Sequence, residues 1–301
     1  MNLKQILLLF CLIVCNAVNA ENFHKNDLSI LVSSCDKYKV LWPGFFDALF
    51  KFWPSLNTKN KNIKLYLITN NEVYPSSRVI SVQTTLSDGW SQNIKDALNK
   101  INTKYILYLQ DDYFFSTPVN ESRLKEIMET MRNHGKVGYT SLIADGYFLD
   151  TKFKWENNPY LKDSLFRSRK HKKYYITLQA LLFDREKFLD LLGDEKSPWI
   201  FEKKAVNRAV LLPWDSWGLS ANPPLDYFNM VNRGQLNLSS LKGAQALGLK
   251  NLPTEQIIDK YKIYPQNYPI LYNFAFRNKT LLSFYVNTFK KIDTFYNRYK
   301  Q

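Results

Sequence analysis

The chain is short of the residues on which several common chemistries depend. Glycine occurs ten times in 301 residues, and no Gly-x-Gly-x-x-Gly, Walker loop or Gly-x-Ser-x-Gly is present. Dinucleotide oxidoreductases, P-loop enzymes and α/β-hydrolases need such glycines for tight turns or close backbone approach, so these classes are disfavoured. Cysteine is scarcer, at three residues, and Cys11 and Cys15 fall in the apolar N-terminal segment. A mature chain that keeps only Cys35 has no internal disulfide, and its fold must rest on a core. The three histidines (His24, His134, His171) show no pairing spacing with Cys35 or with one another. That spacing argues against a Cys–His dyad and a histidine zinc site. There is no long arginine stripe and no helix-turn-helix or RNA-binding signature, so nucleic acid is not an expected partner.

What is present suits a packed globular protein. The chain is 45% hydrophobic and 15% aromatic, a composition that can bury a sizeable core. Its formal net charge is +14, from 41 Lys and Arg against 27 Asp and Glu. Such a balance favours anionic partners, either phosphate-bearing substrates or acidic lipid surfaces. At the N-terminus Lys4 precedes the apolar run Ile6 to Val14, and Val18, larger than the ideal Ala, and Ala20 fit the small-residue rule for a cut before Glu21. Residues 1–20 therefore read as a secretory signal peptide or a short anchor, too short to span a bilayer comfortably. This places the protein in the secretory pathway, as a secreted, periplasmic or membrane-anchored protein. Neither Cys11 nor Cys15 follows the small residue that a lipoprotein signal needs.

Strand-like and helix-like segments alternate through the first half. Leu28 to Ser34, Lys64 to Thr69, Arg78 to Gln83 and the run ending at Gln110 read as strands. Val40 to Trp53 and Ser91 to Ile101 read as helices, each with one apolar face. Asn120 to Asn133 is a further helix and Val137 to Ile143 a further strand. Beyond about residue 150, Tyr174 to Phe183 reads as a strand and Arg185 to Leu192 as a helix. The order implies an α/β fold with a Rossmann-like, mostly parallel sheet flanked by helices. Residues 27–245 form the expected domain, with a donor half at 27–145 and an acceptor half at 146–245. Residues 246–301 form a basic, aromatic extension (Phe284, Phe289, Lys290, Lys291, Phe295, Tyr296, Arg298) that either packs as a terminal helix or makes peripheral membrane contact.

The most informative stretch is Tyr105 to Tyr113. An apolar run, Tyr-Ile-Leu-Tyr-Leu-Gln, stops at the adjacent carboxylates Asp111 and Asp112. Open α/β sheets bind ligands beyond the carboxyl ends of their strands. Two acids there can hold a divalent cation, and the cation a diphosphate. The alternative is a pair that merely solvates a strand end or starts a turn. Other polar residues stand at comparable ends: Ser33, Ser34 and Asp36 after the first strand, Asn70 after the second, and Asn93 early in the helix that leads to the acid-bearing strand.

These segments resemble GT-A-fold glycosyltransferases of the bacterial surface-polysaccharide type. The likeness is carried by Ser34-Cys35-Asp36-Lys37-Tyr38 with Leu41-Trp42, by Gly89-Trp90-Ser91 with Asn93, and by the Tyr105–Phe114 run. Ile176 to Ala180, Ser197 to Glu202, and Tyr227 to Asn229 with Arg233-Gly234 extend it to roughly residues 28–235. The resemblance implies a divalent metal, Mn or Mg, with Asp112 as its first ligand and Asp111 as its second. It implies Ser34, Asp36, Asn70 and Asn93 around a nucleotide-diphosphate sugar, and a glycan or glycolipid acceptor. An inverting transfer also needs a base. Glu202 is the candidate, with Asp145 as the alternative. Trp199, Trp214 and Trp217 offer faces on which sugars stack, against the commoner role of buried tryptophan, and Asp215 offers a partner for a sugar hydroxyl. The departure from the family pattern is Gln110, where related enzymes often have another acid; a neutral oxygen there weakens a metal site.

Two functions from different classes fit these residues. One is a metal-dependent glycosyltransferase. The other is a secreted carbohydrate-binding or surface protein that keeps the fold without turnover, which Gln110 and the signal segment favour. A nucleotidyltransferase on the same kind of sheet is disfavoured, because a glycine-rich first loop is missing.

Overall fold

The computed structural model describes residues 23, 26–57, 62–85, 88–143, 165–167, 175–219, 221–232 and 234–253. The signal segment, Asp145 and the basic aromatic extension from Tyr261 lie outside them.

The elements run β1 (Leu28–Ser33), α1 (Trp42–Phe52), β2 (Lys64–Thr69), β3 (Val79–Gln83), α2 (Trp90–Asn99), β4 (Tyr105–Gln110), β5 (Tyr113–Phe115) and α3 (Glu121–His134). They continue with β6 (Val137–Ser141), β7 (Leu165–Arg167), β8 (Leu181–Asp184), α4 (Arg185–Leu191), α5 (Pro198–Leu211), β9 (Asp215–Leu219), β10 (Tyr227–Asn229), β11 (Val231–Asn232), β12 (Gln235–Leu236) and α6 (Leu238–Ala246). Eight strands form one sheet in the order β3-β2-β1-β4-β8-β6-β9-β7. The pairs β3–β2, β2–β1 and β1–β4 are parallel. Strand β8 runs antiparallel to β4 and to β6, and β9 returns parallel to β6. Strand β7 is antiparallel to β9 at the edge. The fold is therefore α/β, with a Rossmann-like, mostly parallel sheet between two layers of helices.

The side-chain alternation of β1 shows how the layers arise. Leu28, Ile30 and Val32 pack with residues of α1, α3 and α6 on one face. Leu31 packs with residues of α2, α4 and α5 on the other. Strand β4 divides likewise, with Tyr105, Leu107 and Leu109 on the first face and Ile106 and Tyr108 on the second. A strand covered on both faces must be apolar throughout, which is why it reads as an unbroken hydrophobic run. Each such buried aliphatic side chain contributes about 1.5–3 kcal/mol.

Local signals set the helix starts. Asn120 Oδ1 accepts from Arg123 N at 3.0 Å and caps α3; Ser197 Oγ accepts from Ile200 N at 3.3 Å and caps α5, with Pro198 in the first turn. Gly89 precedes α2 at φ 88°, a backbone conformation that favours glycine, and a Cβ there would lie 2.7 Å from Lys196 Cδ.

The segment read as a strand from Tyr174 to Phe183 is one only over its last part, from Leu181. Between Tyr175 and Ala180 the backbone bonds outside any strand ladder: Leu178 N donates to Glu202 Oε1 at 2.7 Å, while Leu142 N, just past β6, donates to Ala180 O at 3.0 Å. Helix α5 and strand β9 were not foreseen.

Candidate active site

The chain order of the strands fixes where a ligand crevice opens. From β1 the chain moves outward to β2 and β3, then crosses back to place β4 on the other side of β1. The strand order reverses there, so the carboxyl ends of β1 and β4 diverge into a crevice. Ser34 follows β1, and Asp111 and Asp112 follow β4. Across that switch point Ser34 Oγ donates to Asp111 Oδ2. Trp42 Nε1, in the first turn of α1, donates in turn to Ser34 Oγ at 2.7 Å. The indole, hydroxyl and carboxylate form a chain that fixes the orientation of Asp111, which is 5% exposed.

Burial, followed by the charge of neighbouring Asp112, pushes the Asp111 carboxyl well above its ordinary range; the Ser34 and Trp42 hydrogen bonds work against that rise. Burial pushes Asp112 up to about 7. The main-chain carbonyl of Asp112 accepts from Met230 N at 2.7 Å. Its Oδ1 is buried with no hydrogen-bond partner. A buried carboxylate oxygen left unpaired is costly and needs an explanation. Two more unpartnered buried atoms belong to expected donor-side residues, Asn70 Nδ2 just past β2 and Asn93 Oδ1 in the first turn of α2.

Asp36 stands in the short 3-10 turn Asp36–Tyr38. Its Oδ1 accepts from Asn70 N at 2.8 Å, and its Oδ2 from Asn71 N at 2.7 Å and Glu72 N at 3.2 Å. Desolvation pushes its carboxyl up, but these three amides outweigh it and hold the group below the usual range. Asp36 Nα donates to Asn70 Oδ1 at 3.1 Å. The carboxylate thus ties the loop after β1 to the loop after β2. Tyr38, in the same turn, is half-buried and feels the charges of both Asp111 and Asp112.

Glu202 lies in α5, with Phe201 and Ala205 buried beside it. Its Oε1 accepts from Leu178 N at 2.7 Å, and burial raises its carboxyl above the ordinary value. Its charge reaches Tyr113, which also feels Asp112, so both acids bear on the same end of β4 and β5. Tyr113 itself stacks on Tyr227 of β10 at 4.4 Å between centroids. Trp199, in the first turn of α5, is 61% exposed.

Two expected acceptor residues stand elsewhere. Strand β9 is parallel to β6, with Asp215 opposite Val137, and Val137 is the first residue of β6. Asp215 and Trp214 therefore stand at the amino end of their strand, on the sheet edge opposite Asp111 and Asp112. Trp214 is 3% exposed and covers Gly138, where a Cβ would run into the indole ring. That ring is core, and no face of it is open to a sugar; Trp217 is also buried, edge-on to His134. The sequence could not separate these tryptophans from Trp199 until the strand direction was known. Two further residues belong to segments that touch the acid pair: Tyr38, which feels both charges, and Gln235, in the hairpin whose base bonds to Asp112 O through Met230 N. Tyr38 lies within a segment that carries the resemblance, and Gln235 directly follows one.

Among the described residues no group of three or more His, Cys, Asp or Glu is arranged to hold a metal ion. No helix among them is long and apolar enough to cross a membrane.

No protein-family model matches the sequence, and no curated protein matches it. Solved structures do match in shape. S. aureus TarS 1-349 aligns with a TM-score of 0.44 at 12% identity, over 67% of this chain and 59% of that one. The same TarS fragment in complex with UDP aligns with a TM-score of 0.44 at 13% identity, over the same shares. The bifunctional IspDF from Campylobacter jejuni aligns with a TM-score of 0.39 at 11% identity, over 67% of this chain and 52% of that one. The chain spans less than two thirds of each, and likeness at this level assigns no activity.

Proposed function

We propose that this chain is a metal-assisted glycosyltransferase that takes a sugar from a nucleotide-diphosphate donor and passes it to a glycan or glycolipid acceptor. One observation supports this reading above the others. An acid pair closes the central strand at the point where strand order reverses, one acid is oriented from across the crevice, and the other keeps a buried oxygen unpaired.

The residues fit a divalent cation such as Mn²⁺ or Mg²⁺. Asp112 Oδ1 is a hard anionic oxygen without a partner, and Asp111 is a second carboxylate whose charge burial opposes. Hard cations take oxygen ligands of this kind. When bound, the cation neutralises the charge that develops on a diphosphate leaving group. Asp112 is its first ligand and Asp111 the second. Asn70 and Asn93 offer unpaired amide atoms on the donor side. Asp36 shapes that side by holding the two loops together. Glu202, half-buried and raised in pKa, takes the acceptor hydroxyl's proton. Trp199 presents an exposed ring on which a sugar can stack. A secretory location and membrane contact through the C-terminal extension belong to the same proposal.

A second reading is favoured by Gln110. This residue ends β4 opposite Ser33 and supplies a neutral oxygen where a third acid would strengthen the metal site. A protein that binds nucleotide sugars or glycans without turnover fits that feature. Hydrolysis of UDP- and GDP-sugars, measured across a panel with Mn²⁺, separates the two. Turnover that disappears in Asp112→Asn supports the transferase. Binding without turnover of any donor supports the second reading, and neither binding nor turnover contradicts both.

A further inference from the structure

The hairpin of β11 and β12 carries a buried side chain with nothing to bind. Gln235 is 4% exposed, and neither its Oε1 nor its Nε2 has a hydrogen-bond partner. A primary amide offers two donors and an acceptor with two lone pairs. Burying all of them unmet costs on each group roughly 1–3 kcal/mol. Shape alone does not require this, because an apolar side chain of the same length would fill the space without that cost. Leu236 packs in the core beside Val231, so alternation turns Gln235 to the opposite face of the hairpin.

The hairpin is fixed against the acid pair. It follows β10, which pairs with β5, and β5 begins directly after Asp112. Met230 N donates to Asp112 O, and Asn237 N donates to Met230 O at 2.8 Å, which closes the base of the hairpin there. At its tip a Cβ on Gly234 would lie 3.9 Å from the Tyr38 hydroxyl. Tyr38 is near enough to Asp111 and Asp112 for the charges of both to act on its hydroxyl.

We infer that Gln235 is a specificity-determining residue whose carboxamide reads the hydroxyls of a bound sugar. The inference rests on the glycosyltransferase reading and deepens it. A carboxamide with both donor and acceptor unmet matches neighbouring hydroxyls, each of which can donate and accept. It matches a phosphate or a metal ion poorly, since one of its two ends would stay unpaired. The hydroxyls come either from the donor's sugar or from the acceptor glycan.

The test compares wild type with Gln235→Met, which keeps the length and removes the polar atoms. Without ligand, Gln235→Met melts at or above the wild-type temperature, because unmet polar groups are gone. A lower melting temperature means that the amide holds the fold together and overturns the proposal. With Mn²⁺ and UDP or GDP, both proteins shift equally. With UDP-glucose, UDP-N-acetylglucosamine or GDP-mannose, wild type binds the preferred one at least about tenfold more tightly than the variant does. Where free glucose, N-acetylglucosamine or a disaccharide reproduces that difference with no nucleotide present, the acceptor is the source; otherwise it is the donor. Equal affinity for every sugar, or an equal loss for the bare nucleotide, overturns the proposal while the glycosyltransferase reading stands. A wild type that responds to no nucleotide contradicts both. Should Gln235→Met fail to fold, Gln235→Glu keeps the shape, removes the amide donors and is expected to show the same selective loss.

Discussion

Glu202 carries a pH signature that tests its placement. Burial raises its carboxyl pKa above the ordinary value, so ionisation disfavours the folded state relative to the unfolded chain. That penalty is fully present above the folded pKa and disappears as pH falls below the unfolded value. Glu202→Gln keeps an oxygen for the Leu178 amide and removes the charge. The variant is expected to melt a few degrees above wild type at about pH 8, with the gap closing towards about pH 4. It should also slow transfer while donor binding stays intact. Thermal melts across pH check the first point; a variant less stable at every pH contradicts it. Asp36 has the opposite sign. Its carboxyl is held low, so its contribution is present above the ordinary carboxylate value and is lost as pH falls through the folded pKa. Asp36→Ala frees three loop amides and is expected to cost about 1–2 kcal/mol by urea denaturation near neutrality, and less in acid. At this scale the sequence was readable where a residue's position depends on its neighbours in the chain, as for Asp111 and Asp112 directly after their strand. It was not readable where the role depends on a distant partner. Nothing near Asp36 announces that its oxygens are spent on Asn70, Asn71 and Glu72.

Helix α5 and strand β9 were hidden for different reasons. The helix had its signal in Ser197-Pro198, a cap followed by a first-turn proline. Its amphipathic pattern is weak, however, because only Phe201, Ala205 and Ala209 turn fully inward. The strand, Asp-Ser-Trp-Gly-Leu, mixes residues of low strand propensity and forms through pairing with β6 and β7. A contact beside each element can be broken. Arg208 of α5 reaches Glu195 at 2.7 Å, and Glu195 accepts from Ser91 Oγ at 2.7 Å, so α5 is tied to the start of α2. The Glu195 side chain has no solvent exposure. Arg208→Ala leaves that buried carboxylate without a counter-ion, held only by Ser91 Oγ and the Gly193 amide, and a loss of about 3–5 kcal/mol is expected in chemical denaturation. The double variant Glu195→Gln with Arg208→Met should lose less. On β6, Gly138→Ala drives a Cβ into Trp214 and should cost about 1–3 kcal/mol, part of which Trp214→Leu restores.

At the scale of the molecule, alternation of strand and helix in the first half was enough to expect a mostly parallel sheet, and β1 to β4 form one. The antiparallel insertion of β8 between β4 and β6 was not visible. A short apolar strand reads the same in either direction, and only the connection decides. That direction matters for the site, because it sets which sheet edge each residue occupies. Ser34, Asn70, Asp111 and Asp112 share the carboxyl edge, whereas Trp214 and Asp215 stand at the other. In the proposed reading the acid pair at the switch point holds a cation and, through it, a diphosphate. The most direct measurement is the melting temperature with Mn²⁺ plus UDP or GDP, in wild type and in Asp112→Asn. A rise is expected for wild type that needs both metal and nucleotide, and no rise for the variant, whose ligand-free stability is preserved or increased. A wild type that shifts with neither nucleotide, or a variant that shifts as far as wild type, would contradict it.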